Sequence, residues 1–329
     1  MHKPFGRRTF LKKSLAATAV APFVMSLEEH RLVRAAPVEP KATPVAAADL
    51  CKRWHGTIGK VKLSRLICGG NLISGYAHSR DLIYVSNLLK HYFTAEKIME
   101  TWALCEQHGI NTMMFNPKDV HAVEALHKYR SQGGRIQYLA QLSAKPEDFK
   151  TVIKQAVDDG AVGAFLLGNT GDAWSRDNKV GQIGEFVSLI KDQKIIAGVA
   201  GHELRTVMMV EKAGIAPDFY VKTLHSTDYW SKRQPGQEKD VIENWGIDNY
   251  WCKDPAATIQ FMARMKRPWI AYKVLAAGAI HPKSGFKHAF ENGADFAVAG
   301  MFDFQVADDI AFANEVLAGE LPRQRDWVA

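Results

Sequence analysis

Trp269-Ile270-Ala271-Tyr272-Lys273-Val274-Leu275-Ala276-Ala277-Gly278-Ala279-Ile280 reads as a buried strand that runs out into small residues. A short helix is expected over 284–292. A second buried strand follows, Ala294-Asp295-Phe296-Ala297-Val298-Ala299-Gly300-Met301-Phe302. Strand, glycine, helix, Asn292-Gly293-Ala294-Asp295, strand, glycine is the pattern of the closing units of a parallel (β/α) barrel. Apolar runs this short and β-rich suit strands buried on both faces. Lys273 lies inside the first run, where a lysine needs a partner or a chemical task.

The same pattern extends back along the chain. Strands are expected at 64–70, 110–115, 136–142, 161–168, 194–201, 217–225, 268–278 and 294–301. Helices are expected at 95–108, 119–131, 146–159, 182–192, 204–213, 254–265, 284–292 and 306–317. Eight strand–helix units make an α/β fold of the (β/α)8 TIM-barrel type. An open doubly wound sheet would need a glycine motif for a nucleotide after its first strand, and Gly69-Gly70-Asn71 is not GxGxxG. Residues 57–63 alternate around Gly59, as expected of a small hairpin plugging the barrel floor. Two connections are long, 71–93 after the first strand and 226–253 after the sixth. Loops of that length in a barrel are usually functional.

The chain's 329 residues hold 47% hydrophobic and 23% charged positions, ordinary for a globular domain with a full core. Gly6-Arg7-Arg8-Thr9-Phe10-Leu11-Lys12 precedes an apolar run over 15–27. That is the form of a twin-arginine export signal, so 1–36 is read as a signal peptide for the twin-arginine translocase. The expected location is periplasmic or otherwise exported, with no membrane span in the mature chain. Residues 37–54, rich in Pro and Ala at their start, are read as a linker and 55–329 as the barrel domain. Without residues 1–36, which hold seven Lys/Arg and two Asp/Glu, the formal net charge falls from +7 to +2. With no basic stripe left, nucleic acid is not an expected partner, and a small molecule is. Cys51, Cys68, Cys105 and Cys252 form no CxxC. Cys68 and Cys105 are read as core thiols, and a Cys51–Cys252 bridge is left open.

Three stretches carry a family resemblance: TIGKVKLSRLICGGNLISG at 57–75, AEKIMETWALCEQHGINTMMF at 95–115 and AVGAFLLGN at 161–169. Together they resemble the first half of an aldo-keto reductase, a TIM-barrel family of NADP-linked oxidoreductases. The resemblance implies the fold, but the family's Asp, Tyr, Lys and His do not follow. Met114 stands at the Asp position, Gln141 at the Lys position, and Leu167-Gly168 where the His is expected. No Tyr follows Phe115 in its place. Those groups move the proton in carbonyl reduction, so their absence argues against NADP. The chain also resembles exported, sugar-associated barrel proteins of bacteria.

Barrel chemistry sits at the strand C-termini, and that filter selects the candidates. The first long loop offers His78, Arg80 and Asp81, and the second and third strands end near Asn116 and Gln141. His202 follows the fifth strand. In the sixth, alternation is read with Tyr220, Lys222 and Leu224 inward and Val221 and Thr223 toward the helices. His225 and Asp228 follow at the mouth, with Tyr229 and Trp230 as aromatic faces suited to a sugar ring. In the seventh, Ala271, Lys273 and Leu275 are read inward. Two inward lysines would lower each other's pKa and make one a base or nucleophile, unless a carboxylate such as Asp303 neutralises them. Lys222, Lys273, His225 and His78 are thus the catalytic candidates. Arg80, Asp81, Asn116, Gln141, His202, Asp228, Tyr229, Trp230 and Asp303 are the substrate-binding candidates. His78, Asp81, His202, His225 and Asp228 are of a type that ligates a divalent metal, although no HxH or HExxH spacing unites them. The expected activity is proton transfer on a small polar substrate, a carbohydrate or derivative, by a lyase, isomerase or hydrolase. The alternatives are a non-catalytic binding barrel derived from aldo-keto reductases and an NADP-dependent oxidoreductase with a rearranged site.

Overall fold

The computed structural model describes residues 45–80, 82–232 and 252–329. The expected signal peptide, Asp81 and most of the second long loop lie outside the described residues. Eight parallel strands close into a barrel in the order β10-β3-β4-β5-β6-β7-β8-β9. They are β3 (Leu66–Gly69), β4 (Thr112–Phe115), β5 (Gln137–Leu142), β6 (Ala161–Leu166), β7 (Ile196–Gly201), β8 (Phe219–Thr223), β9 (Trp269–Tyr272) and β10 (Phe296–Ala299). Each falls within its expected span. The antiparallel hairpin β1 (His55–Ile58) and β2 (Val61–Ser64) turns at Gly59, whose φ of 59° suits glycine. Its Ile58 and Leu63 are buried with Ile67, Leu139, Phe165 and Phe219 in the barrel interior. The hairpin therefore does plug the floor.

The outer layer contains α1 (Val85–Tyr92), α2 (Ala95–Gln107), α3 (Val120–Ser131), α4 (Phe149–Asp158) and α5 (Gly168–Arg176). It continues with α6 (Val180–Asp192), α7 (Leu204–Lys212), α8 (Pro255–Met262), α9 (Pro282–Glu291) and α10 (Val306–Ala318). Thr94, Asp119 and Asp254 cap α2, α3 and α8 by accepting from Lys97 N, Ala122 N and Ala257 N. Helix α1 forms inside the first long loop. Helix α5 occupies part of the interval 169–181, which the sequence pattern leaves unassigned, and begins at Gly168, read there as the end of a strand.

Asp295, fully buried at the start of β10, ties the floor together. Its carboxylate accepts from Trp269 N at 2.9 Å, Arg325 Nη1 at 2.7 Å and Val328 N at 2.8 Å. Residues at the end of the expected linker also pack on the barrel: Trp54 is fully buried and its Nε1 donates to Gly109 O at 2.8 Å. All four cysteines are free, so Cys51 and Cys252 are not bridged, and Cys68 and Cys105 are core thiols.

The alternation of β8 has the opposite phase from the one expected. Phe219 and Val221 join the barrel interior, while Tyr220 and Leu224 pack in the helix layer and Tyr220 Oη donates to Glu211 Oε1 of α7 at 2.6 Å. Lys222 shares that outward face. In β9, likewise, Ile270 and Tyr272 face in and Ala271 faces out. Every residue of β8 and β9 is buried, so burial alone does not distinguish the faces. In the interior the Phe219 ring meets Phe165 of β6 at 6.1 Å between centroids.

Candidate active site

A cavity of about 730 Å³ opens at the C-terminal ends of the strands. Gln141, Asn116 and Ser143 continue the inward faces of β4 and β5 into it, Asn169 and Thr170 come from α5, and Tyr76 and Trp174 add aromatic surface. The lining is thus rich in amides and hydroxyls beside aromatic faces.

His202, immediately after β7, reaches this cavity and is 5% exposed. Its backbone N and Nδ1 both contact Asp172 Oδ2, at 3.0 and 2.8 Å. Asp172 Oδ1 accepts from Glu203 N at 3.1 Å and Thr206 Oγ1 at 2.7 Å. This fully buried carboxylate therefore has four donors, the condition under which a buried charge is tolerated. Helix α5 carries Asp172 against β7 because Gly171 has no side chain; a Cβ there would collide with Ala200 O. The carboxylate holds the proton of neutral His202 on Nδ1 and leaves the lone pair on Nε2. Burial lowers the His202 pKa; Asp172 opposes this in part, and Lys273 and Lys222 lower it further. The net effect keeps the imidazole neutral, in the form that accepts a proton.

Tyr272, the last residue of β9, lies beside His202 with ring centroids 5.3 Å apart. Its hydroxyl is buried and has no hydrogen-bond partner among the described residues. A Cβ on Gly168 would sit 2.5 Å from that oxygen and 2.8 Å from His202 Cε1, so the absent side chain leaves room where the two groups meet. Burial, and then the charge of Asp172, raise the Tyr272 pKa well above its ordinary value. The hydroxyl thus remains a proton-bearing donor.

Lys273 follows with φ 59°, and Ala276 and Ala277 are also left-handed at 45° and 57°. The strand therefore ends at Tyr272, rather than running on to Gly278 as the small residues suggested. A left-handed non-glycine residue costs roughly 1–2 kcal/mol, and it is this turn, instead of strand alternation, that delivers Lys273 to the cavity. Its Nζ lies 3.1 Å from His78 Nε2 and 6.0 Å from the Tyr272 ring centroid. Asn71 Nδ2 is 3.0 Å from the same His78 nitrogen, and His78 is itself left-handed at φ 50°. Lys273 is half-buried: its chain meets the cavity, yet enough protein surrounds the ammonium to push its pKa down to about 7.

The mouth thus brings together His78, His202, Lys273, Asn116 and Gln141. Lys222 belongs elsewhere. It is 1% exposed, and its Nζ donates to Thr223 O at 3.0 Å and Thr223 Oγ1 at 2.8 Å. It lines a second cavity of about 500 Å³ beside the barrel wall, with Arg176, Glu203, Arg205, Lys253 and Asp254. Arg176 and Glu203 are ion-paired there. The expectation that Lys222 faces inward is therefore corrected. His225 is also held by backbone groups: Nδ1 contacts Ser226 O at 2.9 Å and Nε2 accepts from Cys252 N at 2.9 Å. Burial pushes its pKa down to about 4, so it stays neutral and pins the two ends of the second long loop.

Tyr229 is buried with Ala276 and Ile280, edge-on to His225, while Asp228 and Trp230 are exposed. Arg80 Nη1 donates to Ser231 O at 2.7 Å and links the two long loops. Asp303 accepts from Tyr92 Oη and pairs with Lys97 at 3.0 Å, so it does not neutralise the two lysines. Three groups were not singled out from the sequence. Asp172 and Tyr272 are described above. Asp309 of α10 also lines the cavity, and burial with nearby Asp308 pushes its pKa up to about 7. Among the described residues no three His, Cys, Asp or Glu side chains converge as a metal site.

Neither a family model nor a curated protein matches the sequence. Solved structures do match in fold. A Pseudomonas aeruginosa protein assigned to the aldo-keto reductases is 15% identical, with a TM-score of 0.56 over 82% of this chain and 98% of its own. Gox0644 in its apo form is 10% identical, with a TM-score of 0.51 over 82% and 97%. At such identities the likeness is one of architecture: the chain has a closed (β/α)8 barrel of the kind seen in a protein assigned to the aldo-keto reductases.

Proposed function

We propose that the barrel mouth is the active site of an enzyme that moves a proton on a small polar substrate, a carbohydrate or a close derivative. His202 is the proton acceptor, oriented by Asp172, and the Tyr272 hydroxyl is the donor. The observation that carries this reading is the pairing of a neutral, carboxylate-oriented imidazole with a buried tyrosine hydroxyl that has no hydrogen-bond partner among the described residues, both lining one cavity. Acid and base must differ in affinity for the proton. Burial serves both ends here, keeping the imidazole neutral and the phenol protonated. The amides of Asn116 and Gln141, the hydroxyls of Ser143 and Thr170, and the faces of Tyr76 and Trp174 suit a hydroxylated substrate.

The test is solvent exchange. The protein is incubated in deuterium oxide with a panel of ketoses, aldoses and 2-oxo acids, and deuterium uptake is read by mass spectrometry. Wild type should label at least one panel member at a carbon next to its carbonyl. His202→Asn should slow this by about 10²–10⁴-fold, the usual contribution of a positioned base. Labelling that survives His202→Asn at the wild-type rate refutes the assignment. Binding of a panel member with no exchange would favour a binding barrel instead.

A further inference from the structure

We propose that Lys273 is a nucleophile that captures an aldehyde or ketone substrate as an imine, so that the chemistry at the mouth is carried out on a covalently held carbonyl compound. The inference deepens the proton-transfer reading and rests on it for the step that follows capture.

An amine, an acid and a base line the same cavity. Lys273 Nζ lies 6.0 Å from the centre of the Tyr272 ring, and that ring lies 5.3 Å from the His202 ring. A carbonyl compound bonded to Nζ would lie in the cavity that His202 and Tyr272 also line. His78 Nε2, 3.1 Å from Nζ, stands where it can exchange a proton with the amine. The backbone supports the same assignment. Lys273 is held in a left-handed turn with Ala276 and Ala277, and strain at a buried functional group is characteristic of sites where position matters. Desolvation in turn favours the neutral amine that attack requires.

The step balances without an oxidant or reductant. The amine lone pair forms a bond to the carbonyl carbon, and the C=O π pair moves to oxygen. Nitrogen passes a proton to that oxygen, a second proton from the Tyr272 hydroxyl lets the new hydroxyl leave as water, and C=N forms; one amine, one carbonyl and one proton give one protonated imine and one water. The hydroxyl of Tyr272, a residue lining the same cavity, has no hydrogen-bond partner among the described residues and is the proton source for the departing oxygen in this proposal. The protonated imine then withdraws electrons from the adjacent C–H bond, and His202 Nε2 takes that proton.

Borohydride trapping tests the capture. Wild-type protein at pH 7 is mixed separately with glycolaldehyde, dihydroxyacetone and pyruvate, reduced with borohydride, digested and mapped by mass spectrometry. At least one probe should give an adduct on the Lys273 peptide, forming on the order of tenfold or more faster than on any other lysine, because an amine of ordinary pKa is almost wholly protonated at that pH. Lys222→Met should keep this adduct, and Lys273→Arg should lose it. No adduct with any probe, label spread evenly over the lysines, or a preferred adduct elsewhere overturns the proposal. The wild-type map alone decides these outcomes, whether or not a variant folds. His202→Asn separates the two readings, since it should trap at Lys273 while losing exchange. Exchange that continues in Lys273→Arg sinks the covalent role and leaves proton transfer standing. Trapping at Lys273 in a wild-type protein that exchanges nothing does the reverse.

Discussion

Lys222 stands on β8 and Lys273 just past the end of the neighbouring β9, and burial lowers the pKa of both, yet they occupy different regions. Lys222 lies outside the barrel wall. Its ammonium is held by two oxygens of Thr223, and its cavity is bounded by α5, α7 and α8. Lys273 lies in the mouth, against His78 and beside Tyr272. The difference comes from the backbone. Lys222 is inside a regular strand whose phase turns it to the helices; Lys273 is one residue past a strand, where a left-handed turn redirects it. A buried lysine is therefore not by itself a site. What distinguishes Lys273 is the company of an imidazole, a phenol and a cavity wide enough for a substrate.

The largest separation between the two regions should appear on titration. If the amine of Lys273 must be neutral, turnover should fall through about pH 7, by roughly tenfold per unit below it. The sign for stability follows from the same shift. The folded pKa of about 7 lies below the unfolded value near 10.4, so the unfolded chain binds more protons between them and stability rises with pH across that window. The energetic burden of this lysine is full below pH 7 and is relieved as pH approaches 10.4. Urea unfolding of wild type and Lys273→Met at pH 6 and pH 9.5 should show the larger gain from the substitution at pH 6. Turnover that is flat from pH 5.5 to 8 would contradict a neutral amine in the mechanism.

A smaller effect should mark the wall side. His225→Leu removes the acceptor of the buried Cys252 N–H, and an unsatisfied buried donor costs about 1–3 kcal/mol. Denaturant unfolding should register that loss, while exchange activity per folded molecule stays close to wild type. A large loss of activity with unchanged stability would move His225 back among the catalytic groups.

The fold was legible because eight buried runs and their spacing carry the period of the barrel, and Gly59 marks the plug. The facing of the strands was not. In a barrel both faces are buried, so the polar face of Phe219–Thr223, Tyr220 with Lys222, does not show by itself whether it turns to the interior or to the helices. Assigning the β-branched Val221 and Thr223 to the helices put Lys222 on the wrong face. Lys273 was correctly brought to the mouth for an incorrect reason, because the left-handed turn cannot be read from Lys-Val-Leu-Ala-Ala. Asp172 escaped notice because its partners His202, Glu203 and Thr206 lie 30 or more positions away. The interval 169–181, with two glycines and Asp172 beyond a strand end, held the signal for α5: too long for an ordinary connection, and placed at the mouth.

The most direct test of the account compares Lys273→Met with Lys222→Met in the same solvent-exchange assay. Each substitution removes a buried ammonium of similar length, so neither should lower stability much, and relief of desolvation can raise it. The account predicts that Lys273→Met folds and loses exchange by about a hundredfold or more, in the range set by a covalent or proton-moving group. Lys222→Met should lose far less, staying within about tenfold of wild type, because Lys222 acts on the site only through its charge on His202. The opposite order, with exchange lost in Lys222→Met and kept in Lys273→Met, would place the chemistry behind the barrel wall and contradict the account.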